Sequence, residues 1–162
     1  MAARISEVCD GVLAFLGGLI NPQPPDVVEG AYVTADAIET LDGKRVRVFP
    51  VAYGDAERLA RWRVMKEYKV ATVVEVPYLS PASPAASGAV PPAWVDDQIA
   101  WVEANVFDPL NTAFVHKADG LLLGTLTCWS CAVVLVYDVQ RLAEEKVFAS
   151  IVQVSYRESE TG

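Results

Sequence analysis

Histidine appears once in this chain of 162 residues, cysteine three times and methionine twice. A tetrahedral zinc site needs four ligands, and only His116 and the distant Cys9 stand beside the close pair Cys128 and Cys131. Cations are also scarce: 13 Lys and Arg face 21 Asp and Glu, a formal charge of −8. That balance opposes a phosphate-binding surface, which needs clustered Lys and Arg to displace counterions. The apolar run from Gly11 to Ile20 is too short to span a bilayer, and Glu7 and Asp10 lie directly against it. With no small-residue cleavage site after it, a signal peptide is disfavoured and a cytosolic origin fits better. The chain has no phosphate-binding glycine loop, no dinucleotide fingerprint and no nucleophile elbow.

What is present suits one globular domain over residues 1–162. A chain of this size buries roughly 68–70% of its unfolded surface, enough for a core without disulfides or metal. The apolar fraction is 52% and the charged fraction 21%, which excludes a disordered chain. Ile5, Val8, Cys9, Val12, Leu16, Leu19 and Ile20 recur at three- and four-residue spacing, so residues 4–20 form a helix with one apolar stripe. Asn21, Pro22, Pro24 and Pro25 stop it.

Residues 27–38 carry a weak strand pattern. Val46 to Val51 reads as a short strand that Gly54 and Asp55 close, its Pro50 marking an edge or a bulge. Lys44, Arg45 and Arg47 then fall on a solvated strand face. From Arg61 to Tyr78, apolar residues alternate with Arg63, Glu67, Lys69 and Glu75. At about 3.3 Å per residue such a strand is nearly 60 Å long, so a bend or a projecting hairpin is expected, and with it a partner. The Pro-, Ser- and Ala-rich segment 80–92 reads as a semi-flexible linker or protruding loop. Asp96 or Asp97 caps a second helix, which carries Val95, Ile99, Val102 and Val106 on one face and ends at Asp108 and Pro109. Val133 to Val136 reads as a strand covered on both faces. A short polar turn, Gln140 to Lys146, leads into a last strand with Phe148, Val152, Val154 and Tyr156 on one side. The sum is an α+β fold: a mainly antiparallel or mixed sheet with helices packed on one face.

Cys128 and Cys131 form the one motif that suggests chemistry, a thiol redox pair or half a zinc site. They lie inside an expected strand, where residues three apart point to opposite faces, so free structural thiols are the reading preferred here. His116 is a lone loop histidine. Glu144 and Glu145 lie on a solvated turn beside Lys146, and the four tryptophans suit packing better than base stacking. No residue is assigned to catalysis, to a cofactor or to a metal.

Val133, Val136, Tyr137 and Asp138, then Arg141 and Leu142, then Lys146, Val147, Phe148 and Ser150, and finally Val154 to Arg157 resemble the tail-terminator or tail-completion proteins of long-tailed, siphovirus-type bacteriophages. The order of elements resembles theirs over nearly the whole chain, the residue pattern only over about the last thirty positions. The apolar stretch Leu121 to Val136, with its two cysteines, departs from their usual pattern. The resemblance implies a structural virion protein, not an enzyme. It would be a homo-oligomeric ring, usually a hexamer, that caps the tail tube, stops its growth and meets the head-side connector or stopper protein. Made in the host cytoplasm and placed at the top of the tail, such a ring passes DNA through its lumen without reading it. Arg61, Arg63, Glu67, Lys69, Asp138, Arg141 and Glu145 are then the candidate subunit or partner contacts. A head-completion or connector adaptor protein is the alternative, and a thiol redox protein using Cys128 and Cys131 the more distant one.

Overall fold

In the computed structural model, residues 3–23, 26–30, 43–60, 63–78, 90–112 and 127–161 are described. Arg61, His116 and most of the 80–92 segment lie outside the described residues, as do the side chains of Arg63 and Cys128. The elements are α1 (Arg4–Ile20), β1 (Val27–Gly30), β2 (Arg45–Ala60), β3 (Arg63–Pro77), α2 (Pro92–Val102), a π-helical turn (Glu103–Phe107), α3 (Asp108–Asn111), β4 (Thr127–Leu135), α4 (Val139–Glu145) and β5 (Val147–Thr161).

The five strands form one sheet in the order β1-β2-β3-β5-β4. β1 runs parallel to β2 and every other pair is antiparallel, so the fold is α+β with a mixed sheet. β3 and β5 pair along their whole length without a register shift, from Arg63 opposite Thr161 to Pro77 opposite Val147. This uninterrupted central ladder explains why β5 has so many β-branched and aromatic residues: it has a strand on each side.

One sheet face carries the core. Val46, Val48, Tyr68, Val70, Val74, Phe148, Val152, Val154 and Tyr156 are buried there against Ile5, Val8, Val12, Phe15 and Leu16 of α1 and Val95, Val102, Val106 and Leu110 of the α2–α3 segment. The α1 stripe is the one its spacing dictates. The helix stops at Asn21, which takes a left-handed conformation (φ 49°) and donates its N–H to Gly17 O. At Gly30 a Cβ would lie 3.3 Å from Leu13 Cδ2, so the small residue lets β1 approach α1 closely.

Four local expectations are corrected. β2 does not close at Gly54 and Asp55. It continues to Ala60, because register shifts between Pro50 and Ala52, Asp55 and Glu57, and Arg58 and Ala60 absorb the irregular residues while pairing with β3 continues. Asp96 and Asp97 are not caps, since α2 already starts at Pro92, where proline's preset φ opens a helix and its missing N–H costs nothing. Nor do Asp108 and Pro109 end the helical path. The chain widens into the π-helical turn, Asp108 N–H reaches back to Glu103 O, and the α conformation resumes. Val133 to Val136 are not covered on both faces either: β4 is an edge strand and Val134 is 55% exposed.

α4 stands at the end of the sheet, between β4 and β5. Its seven residues are too few to hold alone. Asp138 caps it, accepting from Arg141 N at 3.1 Å, and Lys146 closes it in a left-handed conformation (φ 57°). Leu142 packs against the core, while Arg141 reaches to the other sheet face.

Candidate functional site

On β2, Arg45 and Arg47 alternate with the core residues Val46 and Val48, so they point to the sheet face away from α1 and α2. They are not solvated. Arg45 is 6% exposed and Arg47 8%, and opposite Arg45 on β3 stands Glu75, 1% exposed. Glu75 Oε1 accepts from Arg45 Nε at 3.2 Å, Arg45 Nη2 at 3.1 Å and Arg47 Nη2 at 2.7 Å. Its Oε2 accepts from Arg141 Nη2 at 2.8 Å. Arg141 also donates to Glu145 Oε2 at 3.1 Å. Three guanidiniums thus converge on one carboxylate, and α4 is tied to the sheet through it.

Burial alone would push the Glu75 carboxyl up. The Arg141 hydrogen bond and the charges of Arg47 and Arg45 win, and they hold it below the ordinary carboxylate range. One group of the cluster is left over: Arg47 Nε is buried and has no hydrogen-bond acceptor among the described residues.

The far end of the sheet is the second feature. Arg157 Nε donates to Glu67 Oε2 at 2.8 Å, and Lys69 Nζ lies 3.7 Å from Glu67 Oε1, all on the face away from the helices. Arg4, in the first turn of α1, pairs with Glu158, whose strand neighbour is Lys66. Past that point β3 continues through Met65, Val64 and Arg63, and β5 through Ser159, Glu160 and Thr161. With β2 up to Ala60, these strands form a three-stranded extension that outruns α1 by three positions, roughly 10 Å. Near its root Tyr53 is 70% exposed.

The contact residues expected from the sequence therefore separate into two groups, with Glu67 and Lys69 eight and six positions along β3 from Glu75, roughly 20–26 Å. Asp138, Arg141 and Glu145 belong to α4 and the Glu75 cluster. Glu67 and Lys69 lie toward the extension, as does the backbone of Arg63. Arg141 is not free, being engaged by Glu75 and Glu145. Arg45, Arg47 and Glu75 were missed as a site. Their signal, charges alternating with valines on two strands, becomes legible only through the register that sets Arg45 opposite Glu75.

The described residues hold no group of His, Cys, Asp and Glu arranged to bind a metal. An apolar cleft of about 200 Å³ opens between α2 and β4, lined by Ile99, Val102, Glu103, Phe107, Val133, Val136 and Ser150. It has no convergent set of polar groups such as a small-molecule site uses. Lys44 lies 3.6 Å from the centre of the Trp101 ring, a cation–π contact that fastens α2 to the start of β2.

The register also revises the reading of the cysteine pair. Pairing shifts between Cys128 and Ser130, which leaves Cys128 opposite Tyr156 and Cys131 opposite Val154, so plain alternation along the strand no longer decides their relation. Cys131 is half-buried, forms no disulfide and points its thiol at Phe107 O, 4.0 Å away. Cys9 is buried in the α1 stripe, and burial, followed by the charge of Asp10, pushes its thiol up to about 12. Cys9 is therefore expected to resist iodoacetamide at pH 8 in the folded protein and to react fully once the protein is unfolded in urea. Peptide mass mapping reads both states, and fast native labelling at Cys9 would contradict this packing.

No family model matches the chain, and no curated protein matches it.

Proposed function

We propose that this protein is a structural assembly subunit of a long-tailed bacteriophage. In this reading it is the tail terminator: it forms a ring on the end of the tail tube, stops tube growth and offers its other surface to the head-side connector or stopper. The observation that carries the reading is the extension. Three strands of 15 or 16 residues run past the helix that would cover them. A β-ribbon beyond its own core is stable when a neighbour packs on it, and exposed strand edges pair readily with other chains. The negative total charge agrees with a ring whose lumen passes DNA without retaining it.

Rings of identical subunits use heterologous contacts, in which one surface of each copy meets a different surface of the next. The separation of Glu67 and Lys69 from Asp138, Arg141 and Glu145 gives one chain two such surfaces. Light scattering on purified protein, alone and with tail tubes, tests the reading. The expected result is a discrete multiple of the single-chain mass in solution or on the tube. A strictly monomeric mass under both conditions would overturn it.

A further inference from the structure

The Arg47 guanidinium is short of acceptors. Its side chain is nine-tenths buried, its one side-chain hydrogen bond among the described residues goes to Glu75 Oε1, and that oxygen also serves two nitrogens of Arg45. Its Nε–H is buried with no acceptor among the described residues. Buried cations normally lie within reach of enough carboxylate or carbonyl oxygen to replace water, so Arg47 keeps donor capacity that the described residues do not use. Arg141, whose side chain is 25% exposed, forms the outer rim of the cluster.

The partner's chemistry follows from charge and from symmetry. A chain of net charge −8 repels phosphate polyanions at a distance, but every copy carries an excess of carboxylates. On the helix-covered side of the sheet, Asp96 and Asp97 of α2 and Glu103 of the π-helical turn are all exposed. Among the described residues none of their side chains has a hydrogen bond or ion pair. The arginine cluster lies on the opposite side. A ridge on one side meeting a socket on the other is a heterologous contact, the kind that closes rings.

We propose that Arg47 and Arg141, organised by Glu75, form a socket for carboxylates of a second copy of this chain, presented by its Asp96, Asp97 and Glu103. The proposal rests on the ring reading and names the contact that closes the ring. Charge pairing of this kind sets register and suppresses wrong partners, and at its exposed rim it weakens as salt rises.

The triple variant replaces exposed residues only, so its folding is not at risk. Asp96→Lys, Asp97→Lys and Glu103→Lys together should leave the circular dichroism spectrum and melting temperature near wild type. They should weaken self-association, read by analytical ultracentrifugation with tail tubes present or absent, by more than about a hundredfold through like-charge repulsion. Arg141→Gln should weaken it by roughly tenfold, and the wild-type ring should loosen as salt rises. If wild type forms rings and the triple variant forms them equally well, the socket is wrong and the ring reading stands. If wild type forms no ring under either condition, both fall.

Discussion

Replacing Glu75 by alanine is expected to destabilise the folded protein by about 3–5 kcal/mol, the cost typical of removing one partner from a buried ion pair. The reason lies in where its partners are. Arg45 and Arg47 are only 6% and 8% exposed, so the truncation takes the carboxylate from two buried guanidiniums, and Arg141 loses the contact that ties α4 to the sheet. Against a total stability of about 5–15 kcal/mol, that loss decides whether the chain is folded at body temperature. Urea unfolding followed by tryptophan fluorescence measures it. Glu75→Gln keeps an acceptor but not the charge, and should fall between wild type and Glu75→Ala.

The pH dependence follows from the same cluster. In the folded state the Glu75 carboxyl is held below its ordinary range, whereas in the unfolded chain it titrates near about 4.3. A depressed folded value means that Glu75 adds stability in full above about pH 4.3, and that this contribution disappears as pH falls through the folded value. Wild type should therefore lose stability steeply in acid, and Glu75→Gln should show a shallower slope below about pH 4. Equal slopes for the two proteins would mean that the carboxylate is not held by these arginines.

Phe148→Ala is the second large effect, again about 3–5 kcal/mol. Phe148 is fully buried at the start of β5 and joins three parts of the molecule. Its ring lies 6.5 Å from that of Trp94 in α2 at 87°, and 6.0 Å from Tyr137 at 26°. Trp94 in turn meets the Tyr78 ring at 5.1 Å. Truncation leaves a cavity that helix, strand and the approach to α4 cannot all close, since β5 is fixed by its ladders and α4 by its Asp138 cap. Loss of near-UV circular dichroism should accompany the loss of stability. Val134→Ala, on the exposed edge strand, should cost little by comparison.

These two residues were not equally legible. Phe148 stands in an alternating strand with Val152, Val154 and Tyr156, and a period of two suffices to put it in the core. The α1 stripe is as plain. Glu75 and its arginines were opaque because their burial depends on pairing 28 and 30 residues apart and on α4 arriving 66 residues later. A local reading of Lys44 to Arg47 finds only charge. The continuation of β2 through Gly54 and Asp55 is a similar case: the dipeptide favours a turn, but the ladder with β3 outweighs it. That β4 lies at the edge depends on strand order, which no single segment encodes.

The tail-terminator proposal is tested most directly by the length of tail tubes polymerised in the presence of this protein, with electron microscopy of their ends. The predicted result is arrested growth and a ring-shaped density at one end of each tube, lost when Asp96, Asp97 and Glu103 are all changed to lysine. Tubes of unchanged length with bare ends, and the protein left in the supernatant, would contradict it.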